Sequence, residues 1–558
     1  MLGRGWWDQA MLESLFSRDL WRPPSPHRFL HRSPESGIPE AGGAILVVPA
    51  QHARDRVDEI NERIAALDWC IFIAGGDEES SFPVEAISHP SLVSYVQTPR
   101  PERHGFARRR LGVGWTPQAR RLLWQCSGNA ASRPLDWFFS GQVPDDHPAR
   151  VELVEVLTAM LDAGSVGDLY PTVQFGQQFP VENGDADAAN LAYLRRLASA
   201  KIAPAPAGPV TPDSFRCWEA LEAACIPVVN ARAPYAATEG YWSHLLDGDV
   251  PFPVVDSWGD FPDLSRALLA GWPANANHLF AWWQRYKRTL ALWLDDDLSE
   301  VAGRPHPARP ADRITILLPT SPIPSHPDTG IIEATVASIR AQLPLSDAEL
   351  ILMIDGVRPE QEHRRDAYEE YQRRLLWKAN HEWRNVLPLR FEGHQHQAAM
   401  TRVALEHVRT PLVLFVEHDT PIVGQIDWKG LCRAIETGDA DHIRLHHSTD
   451  IYPEHMHMMI DHDRQTVHGV PMLRTCQWSQ RPHLASADFY RRILHEHFDL
   501  SERHMIEDRM HGVAGSAYKD SGLAGWNRFK LWVYAPAGSL ERSMHLDGRA
   551  GDPKYVDH

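Results

Sequence analysis

Three short apolar runs constrain this chain more than any other feature: "ITILLPT" (Ile314–Thr320), "LILMID" (Leu350–Asp355) and "LVLFVEHD" (Leu412–Asp419). None alternates polar with apolar residues. Such runs are buried on both faces, as strands of a parallel sheet covered by helices are. Segments with helical spacing lie between them: "IIEATVASIRAQL", the charged "QEHRRDAYEEYQRRLLWKA" and "QAAMTRVALEHV". Parallel strands need crossover connections of this kind. The second half therefore reads as an open α/β sheet.

The first half repeats the pattern. "AILVVPA" (Ala44–Ala50), "WCIFIAGG" (Trp69–Gly76), "LVSYVQT", "LDWFFSGQ" and "CIPVVNA" (Cys225–Ala231) read as strands, with helices at "HARDRVDEINERIAAL" and "ARVELVEVLTAML". A Trp-rich helical segment, "NHLFAWWQRYKRTLALWLDDDL", closes that half. With 558 residues the chain exceeds one ordinary core. Composition shifts divide it into a Pro/Ser/His-rich arm (1–42), an α/β domain (43–298), a Pro/Ala-rich linker (299–313) and a second α/β domain (314–558).

Charge and cysteine usage narrow the function classes. Lys+Arg total 56 against 73 Asp+Glu, a formal net charge of −17, so no stable nucleic-acid partner is expected. "RHGFARRR" (Arg103–Arg110) is a local basic patch that reads as a solvated face or as a phosphate contact. Six cysteines without a C-x-x-C pair point to a reduced, cytoplasmic setting. The N-terminus lacks the pattern of a secretory signal, and no apolar run is long enough to span a bilayer.

In an open α/β sheet, ligands bind beyond the carboxyl ends of the strands. The three runs deliver Pro319 and Thr320, Asp355, and Glu417, His418 and Asp419 to that edge. Singly, an Asp ending a strand reads as a turn or cap. Further on, "HMIEDRMHG" sets Glu507 and Asp508 at the start of a helix, where the dipole favours acids. Near the C-terminus "SMHLDG" adds His545, an imidazole able to join a metal shell.

The ordered set Asp355, Arg402, Glu417-His418-Asp419, Glu507-Asp508 and His545 resembles the inverting GT-A glycosyltransferases of the large family that includes cellulose and chitin synthases. The resemblance covers Arg313 to His558. It implies transfer of a sugar from a nucleotide-diphosphate sugar to an acceptor hydroxyl with inversion. It makes Asp508 the base, and Asp419, Glu417 and His545 the ligands of Mn²⁺ or Mg²⁺. Pro319, Thr320, Asp355, Arg402 and His418 would contact the donor, and Trp478 and Glu507 the acceptor: a glycan, a glycolipid or a protein. Two residue patterns depart from the family: the triplet is E-H-D rather than D-x-D, and Gly393 with Arg402 stands where an Ala-Arg-Asn pattern after a Gly-rich turn is usual.

"SFRCWEALEAACIPVVNA" (Ser214–Ala231) resembles the nucleotide-sugar-binding half of exostosin-like GT-B glycosyltransferases, with Ala224 in place of the usual Gly. That resemblance implies donor contacts from Ser214, Arg216 and Glu219 at a helix start. The fold class expected is thus α/β, a GT-B-like Rossmann-type N-terminal region followed by a GT-A domain. The first half is either a second transferase or a glycan-binding domain. The alternatives are a sugar nucleotidyltransferase, for which "PTSPIPSHPDTG" lacks the basic Gly-rich loop, and a non-catalytic glycan-binding scaffold.

Overall fold

The computed structural model describes residues 41–49, 53–76, 79, 81–116, 119, 133–172, 186–303, 310–499 and 503–546. They form two compact units, one containing 41–303 and the other 310–546. The arm at 1–40, Asp77 and Cys126 lie outside the described residues.

The N-terminal unit holds two parallel sheets. In the first, β1 (Gly43–Pro49), β2 (Trp69–Gly75), β3 (Leu92–Gln97) and β4 (Arg109–Leu111) lie side by side in chain order. The second runs β6-β5-β7-β8-β9, from β5 (Leu135–Gln142), β6 (Gly167–Thr172), β7 (Ala200–Ala205), β8 (Ile226–Asn230) and β9 (Val254–Val255). The Trp-rich segment is a single helix, Ala274–Val301, whose Trp283, Leu290 and Leu294 share a core with both sheets.

The arginines of "RHGFARRR" clamp that helix and the adjoining loops. Arg109 forms a two-bond pair with Asp297 at 2.9 and 3.0 Å, and Arg108 reaches Asp297 at 2.8 Å as well as Glu300. Arg110 bonds the His244 carbonyl at 2.7 Å and Asp247 at 3.0 Å. The patch is therefore tied up within the protein rather than open to a phosphate.

The linker expected at 299–313 begins later. Ser299–Val301 complete the long helix because "SEV" contains no breaker. The helix stops where Gly303 takes φ +61°, a left-handed conformation that costs glycine little, and its N–H meets the Glu300 carbonyl at 3.2 Å. Pro310–Arg313 form a 3₁₀ turn directly before the next strand.

The C-terminal unit is built on one nine-stranded mixed sheet. Its strands are β10 (Ile314–Thr320), β11 (Glu349–Ile354), β12 (Val386–Arg390), β13 (Leu412–Phe415), β14 (His442–Arg444), β15 (Gln465–Val467), β16 (Val470–Arg474), β17 (His483–Ser486) and β18 (Leu531–Tyr534). They run in the order β12-β11-β10-β13-β17-β14-β18-β16-β15. The first four are mutually parallel, and β17 is antiparallel to both β13 and β14. From β10 the chain builds outward through β11 to β12, then returns to place β13 on the other side of β10. Sheets with such a reversal bind ligands in the crevice beyond the carboxyl ends of the strands that flank it, here β10 and β13.

Alternate residues Ile314, Ile316, Leu318, Leu350, Leu352 and Ile354 share a core with Ile332 and Val336 of helix Gly330–Arg340 and Tyr368 and Tyr371 of helix Arg365–His381. Helix His396–His407 packs on β10 and β11 and against helix Ala487–His497. Helices thus cover the parallel strands, which explains their unbroken hydrophobicity. Among the described residues no helix is long and apolar enough to cross a membrane. Cys70, Cys217, Cys225, Cys432 and Cys476 are free thiols.

Candidate functional site

Asp355 follows β11 and is 2% exposed. One carboxylate oxygen accepts the N–H groups of Gly356 and Gln395 at 2.8 and 2.7 Å. The other accepts the His396 N–H at 3.2 Å and faces His394 Nδ1 at 2.8 Å. Asp355 therefore fastens the turn that starts helix His396–His407. Gly356 is needed there: a Cβ would lie 2.1 Å from the Gly393 carbonyl carbon. Both oxygens of Asp355, expected to contact the nucleotide-sugar donor, thus face hydrogen-bond donors inside the protein.

The first turn of the same helix carries Gln397, which bridges two candidate segments. Its side-chain N–H donates to Glu417 Oε1 at 3.1 Å, and its carbonyl oxygen accepts the Ile506 N–H at 3.1 Å. Ile506 opens helix Ile506–Ser521, and the Ala398 N–H also reaches the His504 carbonyl at 3.2 Å. One buried amide thus ties the end of β13 to the helix that bears Glu507 and Asp508.

Beyond β13, Glu417 and Asp419 lie in different electrostatic settings. Burial raises the pKa of Glu417, and the charges of Asp419 and Glu507 push the same way. Burial would also raise Asp419, but the field of His418 and the hydrogen bond with His545 hold its carboxyl below the ordinary aspartate range. His545 Nε2 stands 3.2 Å from Asp419 Oδ2. The C-terminal segment brings it there: Ser543 bridges Ile422, and the Leu546 N–H donates to the Asp419 carbonyl at 2.7 Å.

Asp508 lies in the first turn of helix Ile506–Ser521 and is exposed. Among the described residues it has no side-chain hydrogen bond or ion pair. Its charge is felt by His396, whose pKa falls to about 4 through burial and the nearby Arg358 and His394, with Asp355 and Asp508 opposing. Glu507, beside it, accepts the Gln480 N–H at 3.0 Å.

No family model matches the chain, and no curated protein matches it. Solved structures do. One is that of S. aureus TarS 1-349, at 13% identity over 42% of this chain and 60% of that one, with a TM-score of 0.28. The same protein in complex with UDP-GlcNAc matches at 14% identity over 44% of this chain and 62% of that one, TM-score 0.28. GalNAc-T7 with UDP, GalNAc and Mn²⁺ matches at 11% identity over 43% and 45%, TM-score 0.27. The chain thus spans less than two thirds of the length of each.

Several expected site residues stand elsewhere or are otherwise engaged. Arg402 donates to the Leu494 and Phe498 carbonyls at 2.9 and 3.0 Å, capping the C-terminal end of helix Ala487–His497. This terminal nitrogen thus ties the two helices together. Pro319 and Thr320 are buried; the Thr320 hydroxyl meets that of Tyr371 at 3.0 Å and its carbonyl accepts the Asp355 N–H at 3.0 Å. The His418 ring is buried with Nε2 unpartnered, and its carbonyl accepts the Thr335 hydroxyl at 2.8 Å.

Glu417, Asp419 and His545 do not form one ligand set: among the described residues no group of three or more His, Cys, Asp or Glu side chains is placed to hold a metal. Glu417 is drawn instead to Gln397. Trp478 is 0% exposed, stacked against Phe489 at 6.0 Å and tilted over His442 at 4.7 Å. It is a core residue with its indole N–H on Gln480, so it cannot stack on a sugar. Trp478→Ala is expected to cost about 3–5 kcal/mol of stability, read as a lowered denaturation midpoint. In the histidine-rich stretch "HHSTDIYPEHMHMMIDHD", His446 is buried, and burial chiefly pulls its pKa down to about 3.

In the N-terminal unit, Ser214 precedes helix Phe215–Glu222 and its hydroxyl is buried without a partner. Arg216 donates to the Ser140 carbonyl at 2.6 Å and lies over Phe139. Glu219 is 5% exposed and accepts from Thr116 at 2.6 Å and Tyr193 at 2.8 Å, with burial raising its pKa. The Arg216 Nε–H and both Glu219 oxygens are thus bonded inside the unit.

Of the residues at this edge, Gln397, His394 and His396 were not singled out from the sequence. A buried glutamine in a helix's first turn leaves no periodic signal. The cluster "HQHQ" (394–397), which runs into the first turn of the helix, is the one available hint.

Proposed function

We propose that the C-terminal unit is a glycosyltransferase that moves a sugar from a nucleoside-diphosphate sugar to an acceptor hydroxyl, with inversion and with help from a divalent cation. The observation that supports this most is the pairing of Asp419 with His545 at the switch point of the sheet, with Gln397 tying the neighbouring Glu417 to the Asp508 helix.

Asp419 fits a Mg²⁺ or Mn²⁺ ion, since Mg²⁺ is usually bound through one or two carboxylates together with substrate phosphates; His545, an imidazole beside it, would favour Mn²⁺. When bound, the ion neutralises the charge that builds on the departing diphosphate. Asp508 takes the proton of the acceptor hydroxyl as its oxygen attacks the anomeric carbon and the bond from that carbon to the diphosphate oxygen breaks. A free, exposed carboxylate suits that task. A single displacement inverts the anomeric centre.

For the N-terminal unit, binding of a nucleotide sugar or glycan is favoured over a second transfer reaction. Glu219 and the Arg216 Nε–H are engaged within the protein, while the Ser214 hydroxyl is left for a ligand at the helix start.

The test is incubation of the full chain with a panel of nucleotide sugars and Mn²⁺, following nucleoside diphosphate release. Release from at least one donor is expected. Pyrophosphate release from a nucleoside triphosphate and a sugar phosphate would instead make the protein a nucleotidyltransferase.

A further inference from the structure

β17 is shared between β13 and β14, and its register brings two arginines to one face. His483 is paired with Phe415 on one side and with Arg444 on the other. Continuing each register two residues outward sets Arg481 opposite Glu417 and opposite His446. On the β14 side the pairing does continue, for the Leu445 N–H donates to the Pro482 carbonyl at 2.7 Å. Residues directly opposite in antiparallel strands project to the same face. Arg481 therefore stands between the end of β13 and the end of β14, with Arg444 on the same face.

Neither guanidinium is neutralised by contact. Arg481 is half-buried and makes no side-chain hydrogen bond or ion pair among the described residues. Arg444 is 4% exposed; one terminal nitrogen donates to Gln477 at 2.9 Å, and its buried Nε has no partner. The two acids in reach are engaged elsewhere, Glu417 by Gln397 and Glu507 by the Gln480 N–H. Burial pulls the Arg444 pKa down to about 10, with Glu507 opposing and Arg481 adding to the fall. The charge of Arg481 is felt by Glu417 and that of Glu507 by Arg444, but among the described residues no carboxylate contacts either guanidinium. Two closely set guanidiniums without a contacting anion favour one brought by a ligand, and arginine's planar fork matches a phosphate.

Resting on the transferase function proposed above, we infer that Arg481, backed by Arg444, seats a phosphate group carried by the acceptor. The acceptor is favoured over the donor diphosphate by position. Arg481 lies on the side of β13 away from β10 and β11. The same side is covered by the first turn of the Asp508 helix, through the bond from the Gln480 N–H to Glu507. The seat thus adjoins the base rather than Thr320 and Asp355.

The probe is glycerol 3-phosphate, with glycerol as the uncharged control, titrated into the full chain and followed by ³¹P NMR or calorimetry. Saturable binding of the phosphate ester and none of glycerol is expected. Arg481→Gln should weaken it at least about tenfold, and Arg481→Lys, which keeps the charge but not the fork, should fall between. Both variants should melt with the parent, because the Arg481 side chain bonds nothing among the described residues. Repeating the titration with saturating Mg²⁺ and a nucleoside diphosphate should leave binding unchanged. Displacement by the nucleotide would assign the seat to the donor and overturn the inference. So would no binding to the parent chain, or equal binding to Arg481→Gln. Failure of every nucleoside diphosphate to bind would count against the transferase reading instead, and the metal-free titration would still report on the anion seat by itself.

Discussion

Asp508→Asn is expected to lower kcat by a factor of about 10²–10⁴ while leaving nucleotide binding unchanged. The substitution keeps shape and volume but replaces the basic carboxylate that would take the acceptor proton with a non-basic amide. Asp508 is exposed and its side chain is unbonded among the described residues, so stability should stay within about 0.5 kcal/mol of the parent. The measurement is steady-state release of nucleoside diphosphate, together with nucleotide titration of the same preparation. Activity equal to the parent would remove Asp508 as the base. Residual transfer of a second sugar, unaffected by the substitution, would show that the N-terminal unit is itself a transferase.

Asp419→Ala has the second large effect. The change removes the ionised carboxylate of the crevice and leaves His545 without its partner. On the proposed metal site, losing the Asp419 ligand should weaken Mn²⁺-dependent nucleotide binding by at least about 100-fold, since even supporting residues cost 10–100-fold. Binding in the absence of Mn²⁺ should change little. If the variant binds nucleotide and Mn²⁺ as the parent does, the Asp419–His545 pair is structural and the metal assignment fails. Glu417→Gln should have a smaller effect, because Glu417 bonds Gln397 and shares no ligand set with Asp419.

Legibility in the sequence followed burial. β10, β11 and β13 could be read directly because strands covered on both faces must be apolar throughout. β12 could not: "VLPLR" is short and carries a proline and an arginine. Asp355, Glu417 and Asp419 were found as polar residues ending apolar runs, and the sheet does bring all three to its carboxyl edge. Their uses were hidden, because hydrogen-bond partners come from distant segments. Asp355 is satisfied by N–H groups some forty residues on, at Gln395 and His396. Arg402 had the right place in the order of motifs, but order does not say which helix face a side chain takes. Its guanidinium turns to helix Ala487–His497. Trp478 shows the same limit in reverse: an aromatic residue in a polar-looking stretch fills the core.

The central claim is that this crevice binds a donor nucleotide through a divalent cation. Calorimetric titration of the full chain with nucleoside diphosphates, with Mn²⁺ and again with EDTA, tests it most directly. The account predicts that at least one nucleotide binds with Mn²⁺ and that chelation weakens it by about tenfold or more, roughly 1.4 kcal/mol. Equal affinity with and without the metal, or no binding of any nucleoside diphosphate, would contradict it.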